Sequence, residues 1–408
     1  MREPVNPSVS VIVPVFNEAN CLRSCLAAIL SSTFSSIEII VVDDASTDDS
    51  REIAQEFNVE LIENSTSLGP AAARNRGAAS AKGSILLFID ADVMISSQTI
   101  ASVVECFAKR PDVAAVFGSY DDDPIRTNVV SQYKNLMHHY IHQISNPDAT
   151  TFWTGLGAIQ KDVFLRIGGF NEQRYRYPCI EDVELGYRLK NAGYKILLDK
   201  ELQGKHLKRW TLRKLVETDI LRRAIPWTQL ILETGKIPGD LNFRSSHRIS
   251  SLLVCLLLGS MPLLVIRHHA VASVGTLLPL IPLVLFSTLL VLNRQIYRFF
   301  LSRMGWLSTG AAVVLHLGYY LYGGMTFALT WMMYRFFKAP AAAKSFLANS
   351  SDGSMLLLPR PEPRQTGKPE CSCALSLAAP KMAAGGGDAN VTAIREPANP
   401  ASRPAQAV

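Results

Sequence analysis

The sequence predicts an α/β protein whose mostly parallel sheet is followed by about three membrane-spanning helices and a disordered tail. Three observations predict it. Short β-branched runs alternate with helical stretches through the first 235 residues. Three long segments without Lys, Arg, Asp or Glu follow between 249 and 334. Beyond 339 the chain turns to Ala, Pro, Gly and Ser. Apolar strands separated by helices form parallel sheets covered on both faces. A bilayer span takes about 20 apolar residues. A segment of low hydrophobicity cannot bury a core.

The expected strands are Val9–Val15, Ile37–Val42, Ile85–Ile89 and Val113–Phe117, with Lys195–Leu198 strand-like. The expected helices are Glu18–Ser31, Asp49–Phe57, Pro70–Ala81 and Gln98–Lys109. Sheets of this kind hold ligands at the carboxyl ends of their strands. The expected spans are 249–266, 270–292 and 308–334, a buried helical hairpin being the alternative. Arg244 and Arg248 precede the first; Arg294, Arg298 and Arg303 lie in a loop, 293–303, between the second and third. The positive-inside bias then places the first domain in the cytoplasm and the chain as a multi-pass protein of the plasma (inner) membrane. The domain limits follow as 8–235, a basic junction at 236–248, a membrane region at 249–338 and a disordered tail at 339–408. The basic, Trp-bearing stretch from 205 to 248 suits an anionic membrane surface, so membrane lipid is an expected partner and nucleic acid is not.

The chain of 408 residues is 48% apolar and 19% charged, with a formal net charge of +6. That excludes collagen, a disulfide-stapled miniprotein and wholesale disorder. Seven cysteines without a CxxC pair read as free thiols in a reducing compartment. Met1–Ser10 has no apolar core and is not read as a secretory signal.

The strand ends carry the chemistry. At the first, Pro14 is expected to end the ladder, having no N–H. Phe16 offers a flat face, and Asn17 and Glu18 open a helix. This is either the floor of a nucleotide pocket or an ordinary strand-to-helix turn. Asp43 and Asp44 end the second strand, where acids need bonding partners; a base or ribose would supply them. Gly69–Gly77 is a helix of small residues able to lie close to the sheet, and its Arg74 and Arg76 either face phosphates or are solvated. Asp90 and Asp92 follow an apolar strand, and their i, i+2 spacing puts both on one side of an extended chain. Two oxygen donors there suit Mg2+ or Mn2+ bound together with substrate phosphates. Asp121–Asp123, set among loop residues, is read as solvated.

Gly155 and Gly157 read as a turn before a helix, either approaching a ligand closely or simply tight. Glu181 and Asp182 open a helix that stops at Gly193, where a carboxylate is either an acidic cap or a general base. Glu184 and Arg188 form an i, i+4 pair. His206, ahead of the basic stretch, is read as a metal or phosphate ligand. Residues 120–153 are expected to shape the acceptor side, with His138, His139 and His142 on a surface helix.

In this order, Pro14-x-Phe-Asn-Glu18, Val42-Asp-Asp44-x-Ser-x-Asp48, Ala73-Arg-Asn75-x-Gly77, Asp90-x-Asp92 and Glu181-Asp182 resemble the motifs of the inverting nucleotide-sugar transferases of glycosyltransferase family 2. The resemblance covers roughly residues 8–233 and implies a GT-A fold. It implies that Pro14, Phe16, Glu18, Asp43 and Asp44 hold the nucleoside of a nucleotide-sugar donor, with Arg74 beside them. Asp90 would touch the sugar or ribose, Asp92 and His206 would ligate a divalent cation, and Asp182, next to Glu181, would deprotonate the acceptor. Gly155 and Gly157 fall on the acceptor side. The processive synthases of the family carry Gln-x-x-Arg-Trp; here the segment reads His206-Leu-Lys-Arg209-Trp210. The expectation is therefore transfer of single sugars to a lipid-linked or membrane-proximal saccharide. A sugar nucleotidyltransferase and a non-catalytic membrane scaffold are the alternatives.

Overall fold

The computed structural model describes residues 9–236, 244–264 and 280–337. The expectations for 237–243 in the junction, for 265–279 between and within the first two expected spans, and for the tail beyond 337 lie outside the described residues.

The first half alternates strand and helix: β1 (Val9–Val15), α1 (Ala19–Leu30), β2 (Ile37–Asp43), α2 (Ser50–Gln55), β3 (Glu60–Glu63), α3 (Pro70–Ser80) and β4 (Ile85–Ile89). Then come β5 (Val93–Ile95), α4 (Thr99–Lys109), β6 (Val113–Tyr120), α5 (Val129–Ile144), β7 (Leu156–Gln160), α6 (Lys161–Arg166), α7 (Glu181–Asn191) and β8 (Lys195–His206). Two short helices, α8 (Leu212–Glu217) and α9 (Ile225–Thr234), are joined by a wide π-helical turn at Thr218–Ala224.

The sheet order is β3-β2-β1-β4-β7-β6-β8-β5. Its first four strands are parallel, as expected. The rest is mixed, which corrects the mostly parallel expectation: β7 runs antiparallel to β4 and β6, β8 parallel to β6, and β5 antiparallel to β8. The strand that reverses the pattern is the segment whose glycines read as a turn. Gly157 sits inside β7 because a Cβ there would strike the Trp153 carbonyl and the Phe152 ring. Gly155 likewise backs onto the Trp153 ring. The close approach these glycines allow is to aromatic neighbours.

Pro14 does not end β1, which runs on to Val15. The Val15 carbonyl accepts from the N–H of Asp44, directly after β2, at 2.8 Å, so Pro14 faces the opposite edge. There the ladder with β4 has already stopped at Ile12, and no donor is missed.

Side chains alternate across the strands into two apolar layers. One holds Ile12, Phe88, Phe117, Phe164 and Phe170 beneath α3, α6 and α7; the other holds Val11, Val13, Leu22, Leu26, Ile100 and Val103 beneath α1 and α4. In α3 the absence of a side chain at Gly77, whose Cβ would lie 2.6 Å from Ile12, lets the helix settle onto β1 and β2.

The described residues from 245 on are helical: α10 (Ser245–Ser260), a 3-10 turn to Leu264, α11 (Leu280–Leu292) and α12 (Arg294–Phe337), which Gly305 divides with φ 74°. Among the described residues two helical stretches are long and apolar enough to cross a membrane, Ser245–Leu263 and Arg294–Phe336. The described part of α11 has 13 residues, too few for a span. The segment 294–304, expected as a loop, is helix instead. Its Ile296, Tyr297 and Phe300 pack on Tyr133, Leu136 and Met137 of α5, so apolar burial takes up what its arginines made look like a connection. A buried network joins the helices: His247 Nδ1 lies 3.0 Å from the Tyr320 hydroxyl, which donates to Asn293 at 2.8 Å, while Asn293 donates to Ser250 at 3.0 Å.

Phe88 is wholly buried against the rings of Phe164 and Phe170, 5.6 and 5.3 Å away. Phe88→Ala should cost about 3–5 kcal/mol of stability, seen as a lower unfolding midpoint of the detergent-solubilised chain. An unchanged midpoint would contradict this account of the core.

Candidate active site

The ends of β1, β2 and β4 and the start of α7 converge. After β1 the chain bends at Asn17, whose φ is 55°. The Asn17 side-chain oxygen accepts from the Thr47 N–H at 2.8 Å, and Asp48 accepts from the Ala19 N–H at 3.0 Å. These bonds sew the two loops together. Phe16 is left 49% exposed at the rim, free to stack on a planar ligand. Pro14 is half-buried below it.

Asp43 and Asp44 have different surroundings. Both Asp44 oxygens are satisfied, accepting from Asn64 and Ser67 side chains and from the Leu68 and Gly69 N–H groups at 2.7–2.9 Å. Asp44 therefore fixes the loop that enters α3. Asp43 Oδ2 accepts from the Ser46 N–H at 3.0 Å and from Arg51 at 2.8 Å, while its Oδ1 is buried without a partner among the described residues. A bare buried acceptor is costly unless a ligand donor meets it.

Arg74 is buried, and both of its terminal guanidinium nitrogens are bonded while its Nε has no partner among the described residues. One guanidinium nitrogen donates to Asp90 at 2.7 Å and another to Glu181 at 2.8 Å. Burial opposes its charge, but the Asp90 and Glu181 carboxylates outweigh that and hold it protonated. The reading of Arg74 as solvated is corrected. Glu181 also accepts from the Cys179 N–H at 2.9 Å, so both its oxygens are engaged.

The chain turns at Asp90–Asp92, with the Val93 N–H donating to the Asp90 carbonyl at 2.9 Å. The two carboxylates do not share one side of an extended strand: the i to i+3 bond turns Asp90 to Arg74 and Asp92 elsewhere. Buried Asp92 Oδ2 lies 3.5 Å from His206 Nε2 and 3.3 Å from Lys208 Nζ. Burial alone raises its carboxyl, but His206 and Lys208 prevail and hold it below the usual carboxylate range. Lys208 also lies 3.6 Å from Glu18, whose carboxyl burial raises in spite of that ammonium. His206 is the last residue of β8, longer than expected, and stacks on Tyr120 at 4.1 Å.

Asp182 is half-buried at the start of α7. It accepts from the Thr154 N–H at 3.2 Å. Burial, then the neighbouring Glu181 charge, push its carboxyl up to about 6, against the pull of Arg74. A carboxylate that titrates near neutrality is tuned for proton transfer.

Other expectations are corrected. In the Asp121–Asp123 loop Asp123 is exposed, as expected, but the three acids are also ion-paired: Asp121 and Asp123 with Lys205 at 3.0 and 2.8 Å, and Asp122 with Arg303. His139 and His142 are buried, not on a surface face, and bond the Tyr120 and Gly118 carbonyls at 2.8 and 2.9 Å. Lys208, Thr154 and Tyr120 went unpredicted. For Lys208 the signal was its position two residues past His206; for Thr154 and Tyr120 there was none.

Asp92 and His206 offer one oxygen and one nitrogen donor, and no group of three or more ligating side chains occurs among the described residues. Few protein donors and an adjoining phosphate are what Mg2+ or Mn2+ accepts. Lys208 is the cation standing against Asp92, and the donor chemistry fits a divalent ion there.

Residues 10–168 match the pattern of glycosyl transferase family 2. Glycosyltransferase AglE of Haloferax volcanii is 43% identical over 93 residues, 21% of this chain and 31% of its own length. Validoxylamine A glucosyltransferase of Streptomyces hygroscopicus subsp. jinggangensis is 26% identical over 234 residues, 48% of this chain and 55% of its own. The chain thus spans from a third to about half of these relatives. A mannosyltransferase from Pyrobaculum calidifontis, solved with GDP-Man and Mn2+, is 18% identical with a TM-score of 0.44, over 83% of this chain and 89% of that one. Within the matched stretch and the helix start beyond it, the motif residues Arg74, Asp90 and Glu181 are joined by hydrogen bonds.

Arg74→Ala would leave Asp90 and Glu181 without their cation, at a cost of about 3–5 kcal/mol for a broken buried pair. Arg74→Lys should recover little of it, since one ammonium cannot span both carboxylates. Full recovery of the unfolding midpoint by Lys would refute the two-armed role.

Proposed function

We propose that this chain is an inverting glycosyltransferase of GT-A type. It moves a sugar from a nucleotide-diphosphate donor to a hydroxyl of a lipid-linked or membrane-proximal saccharide, one sugar at a time. The observation that carries the reading is Asp182, a half-buried carboxyl at a helix start, fixed by Thr154 and titrating near 6.

Asp43 Oδ1 accepts an N–H of the base, Phe16 covers the ring, Pro14 floors the pocket, and Glu18 and Asp44 hold its walls. Asp90, oriented by Arg74, meets the sugar or ribose. Asp92 and His206 hold a divalent cation, which when bound neutralises the diphosphate; Lys208 adds charge there. Asp182 takes the acceptor proton as the acceptor oxygen bonds the anomeric carbon. The bond from that carbon to the diphosphate oxygen breaks, and its electron pair leaves with the nucleoside diphosphate. One displacement inverts the centre. Asp90 and Glu181 are bound to Arg74, so the site is built around a single base and no nucleophilic carboxylate is required.

The two long apolar helices, with Trp306, Leu307, Val314 and Phe336 exposed, support attachment to a membrane. Arg244, Arg248, Arg294, Arg298 and Arg303 favour a cytoplasmic catalytic domain. His206 at the position of the synthases' Gln supports single transfers. A scaffold has no use for a tuned base, and a nucleotidyltransferase needs a glycine-rich basic loop where Pro14–Glu18 stands.

Nucleoside diphosphate release from a panel of nucleotide sugars, by the detergent-solubilised chain, tests the reading. Release from one donor should require Mg2+ or Mn2+ and vanish with chelator or in Asp92→Ala; release that ignores both would overturn the metal assignment. Asp182→Asn should bind nucleotide normally yet lose about 10²–10⁴-fold in transfer. Because the base must be deprotonated, wild-type kcat/KM should fall as pH drops through about 6. A carboxyl raised in the folded state weakens folding above its folded pKa and not below the unfolded one. Asp182→Asn should therefore melt no lower than wild type at pH 8.

A further inference from the structure

A cavity of about 510 Å3 lies where α5, the π-helical turn and α9 face α10 and α12. Its floor and walls divide by chemistry. Leu252 and Cys255 of α10 and Phe327 and Ala328 of α12 line one part, on the helices long and apolar enough to cross a membrane. Lys134, Asp219, Arg223 and Arg248 line the other. Asp219 is already satisfied: it accepts from Lys134 at 2.6 Å and from the Tyr322 hydroxyl at 2.7 Å. The side chain of Arg223, whose charge also acts on Asp219 from further away, and that of Arg248 make no hydrogen bond or close ion pair among the described residues. The cavity therefore carries surplus positive charge beside apolar helices.

One wall leads to the active site. His138 lines the cavity, and its Nδ1 is buried without a partner among the described residues. Its ring lies 4.6 Å from Trp153 and 4.4 Å from Tyr120, and Tyr120 stacks on His206 at 4.1 Å. Trp153 adjoins Thr154, the residue that holds Asp182. The Tyr120 hydroxyl, deprived of water by burial, also feels the charges of Asp92, Asp90, Arg223 and Asp182. Gly323 of α12 lines the space with nothing within 4 Å of where a Cβ would be.

We propose that this cavity is the seat of the acceptor, a membrane lipid bearing a phosphate and an apolar chain. Its phosphate rests on Arg223 and Arg248, its chain lies along Leu252, Cys255 and Phe327, and its head passes His138 and Trp153 towards Asp182. A phosphate matches unpaired guanidinium groups, and an apolar chain in a groove facing the bilayer needs no water to leave or enter. This deepens the transferase reading and rests on it for the word acceptor.

The test uses the full chain in phosphatidylcholine nanodiscs and farnesyl phosphate with a photoreactive group in its tail. Crosslinks should map to 247–255 and 319–328. Unlabelled farnesyl phosphate should compete about tenfold better than farnesol, the worth of one charge-assisted hydrogen bond, and millimolar inorganic phosphate should not compete. Arg223→Ala should weaken labelling about tenfold. Gly323→Phe, which fills the space and raises helix propensity, should abolish it. Neither change touches the donor site, so acceptor-free nucleotide release should persist in both. Equal competition by farnesol would leave an apolar groove without a phosphate seat, and equal competition by inorganic phosphate would make it an anion site. Either result, or indifference to both substitutions, overturns the proposal. If the wild type releases nucleotide from no donor while the crosslinks behave as expected, the transferase reading fails and the lipid site stands.

Discussion

Arg74 reaches from α3 to Asp90 at the end of β4 and to Glu181 at the start of α7. Those three elements are far apart in sequence, and each arrives with a polar group that cannot be buried alone. A guanidinium has two parallel donor edges and keeps its charge in a dry site. Its burial between two carboxylates is tolerable because both are bonded to it, and for the same reason the loss of any one partner exposes the others. The position of Asp182 follows from this clamp. Asp182 stands next to Glu181; burial raises its carboxyl most, and the neighbouring charge that adds to the rise belongs to the residue Arg74 anchors.

The same division of labour recurs around the site. Asp44 is saturated by four donors and shapes a loop, while Asp43 beside it keeps a bare buried oxygen. Asp90 is held by Arg74, while Asp92 faces His206 and Lys208. In each pair one acid is fixed by bonds to the surrounding frame, and the two acids face different partners. Polar groups that are fully bonded are rigid, and that rigidity lets the neighbouring group remain unsatisfied without collapse.

The helical half is joined to the sheet by packing on α5. Tyr133, Leu136 and Met137 take up Ile296, Tyr297 and Phe300 on one side of that helix. From the same helix His139, whose ring also stacks on Phe299, and His142 bond carbonyls of β6. Helix α5 thus transmits the placement of the apolar helices to Tyr120, the residue stacked on His206.

The sequence by itself determined the parallel half of the sheet, the helices between its strands and the residues gathered at its strand ends. Continuous apolar runs in β1, β2 and β4 and small residues in α3 are local signals, and local chemistry is legible one residue at a time. It also showed that the C-terminal half is apolar, since charge-free length needs no partner to be read. What the fold alone decided is pairing. Leu156–Gln160 became a central strand because Phe152 and Trp153 leave room only for glycine beside them. Residues 294–304 became helix because α5 offers them an apolar face. Asp90 and Asp92 diverged because their turn aims one at Arg74 and the other at His206. Each of these depends on a neighbour distant in the chain, and no pattern within a segment records which neighbour folding will bring.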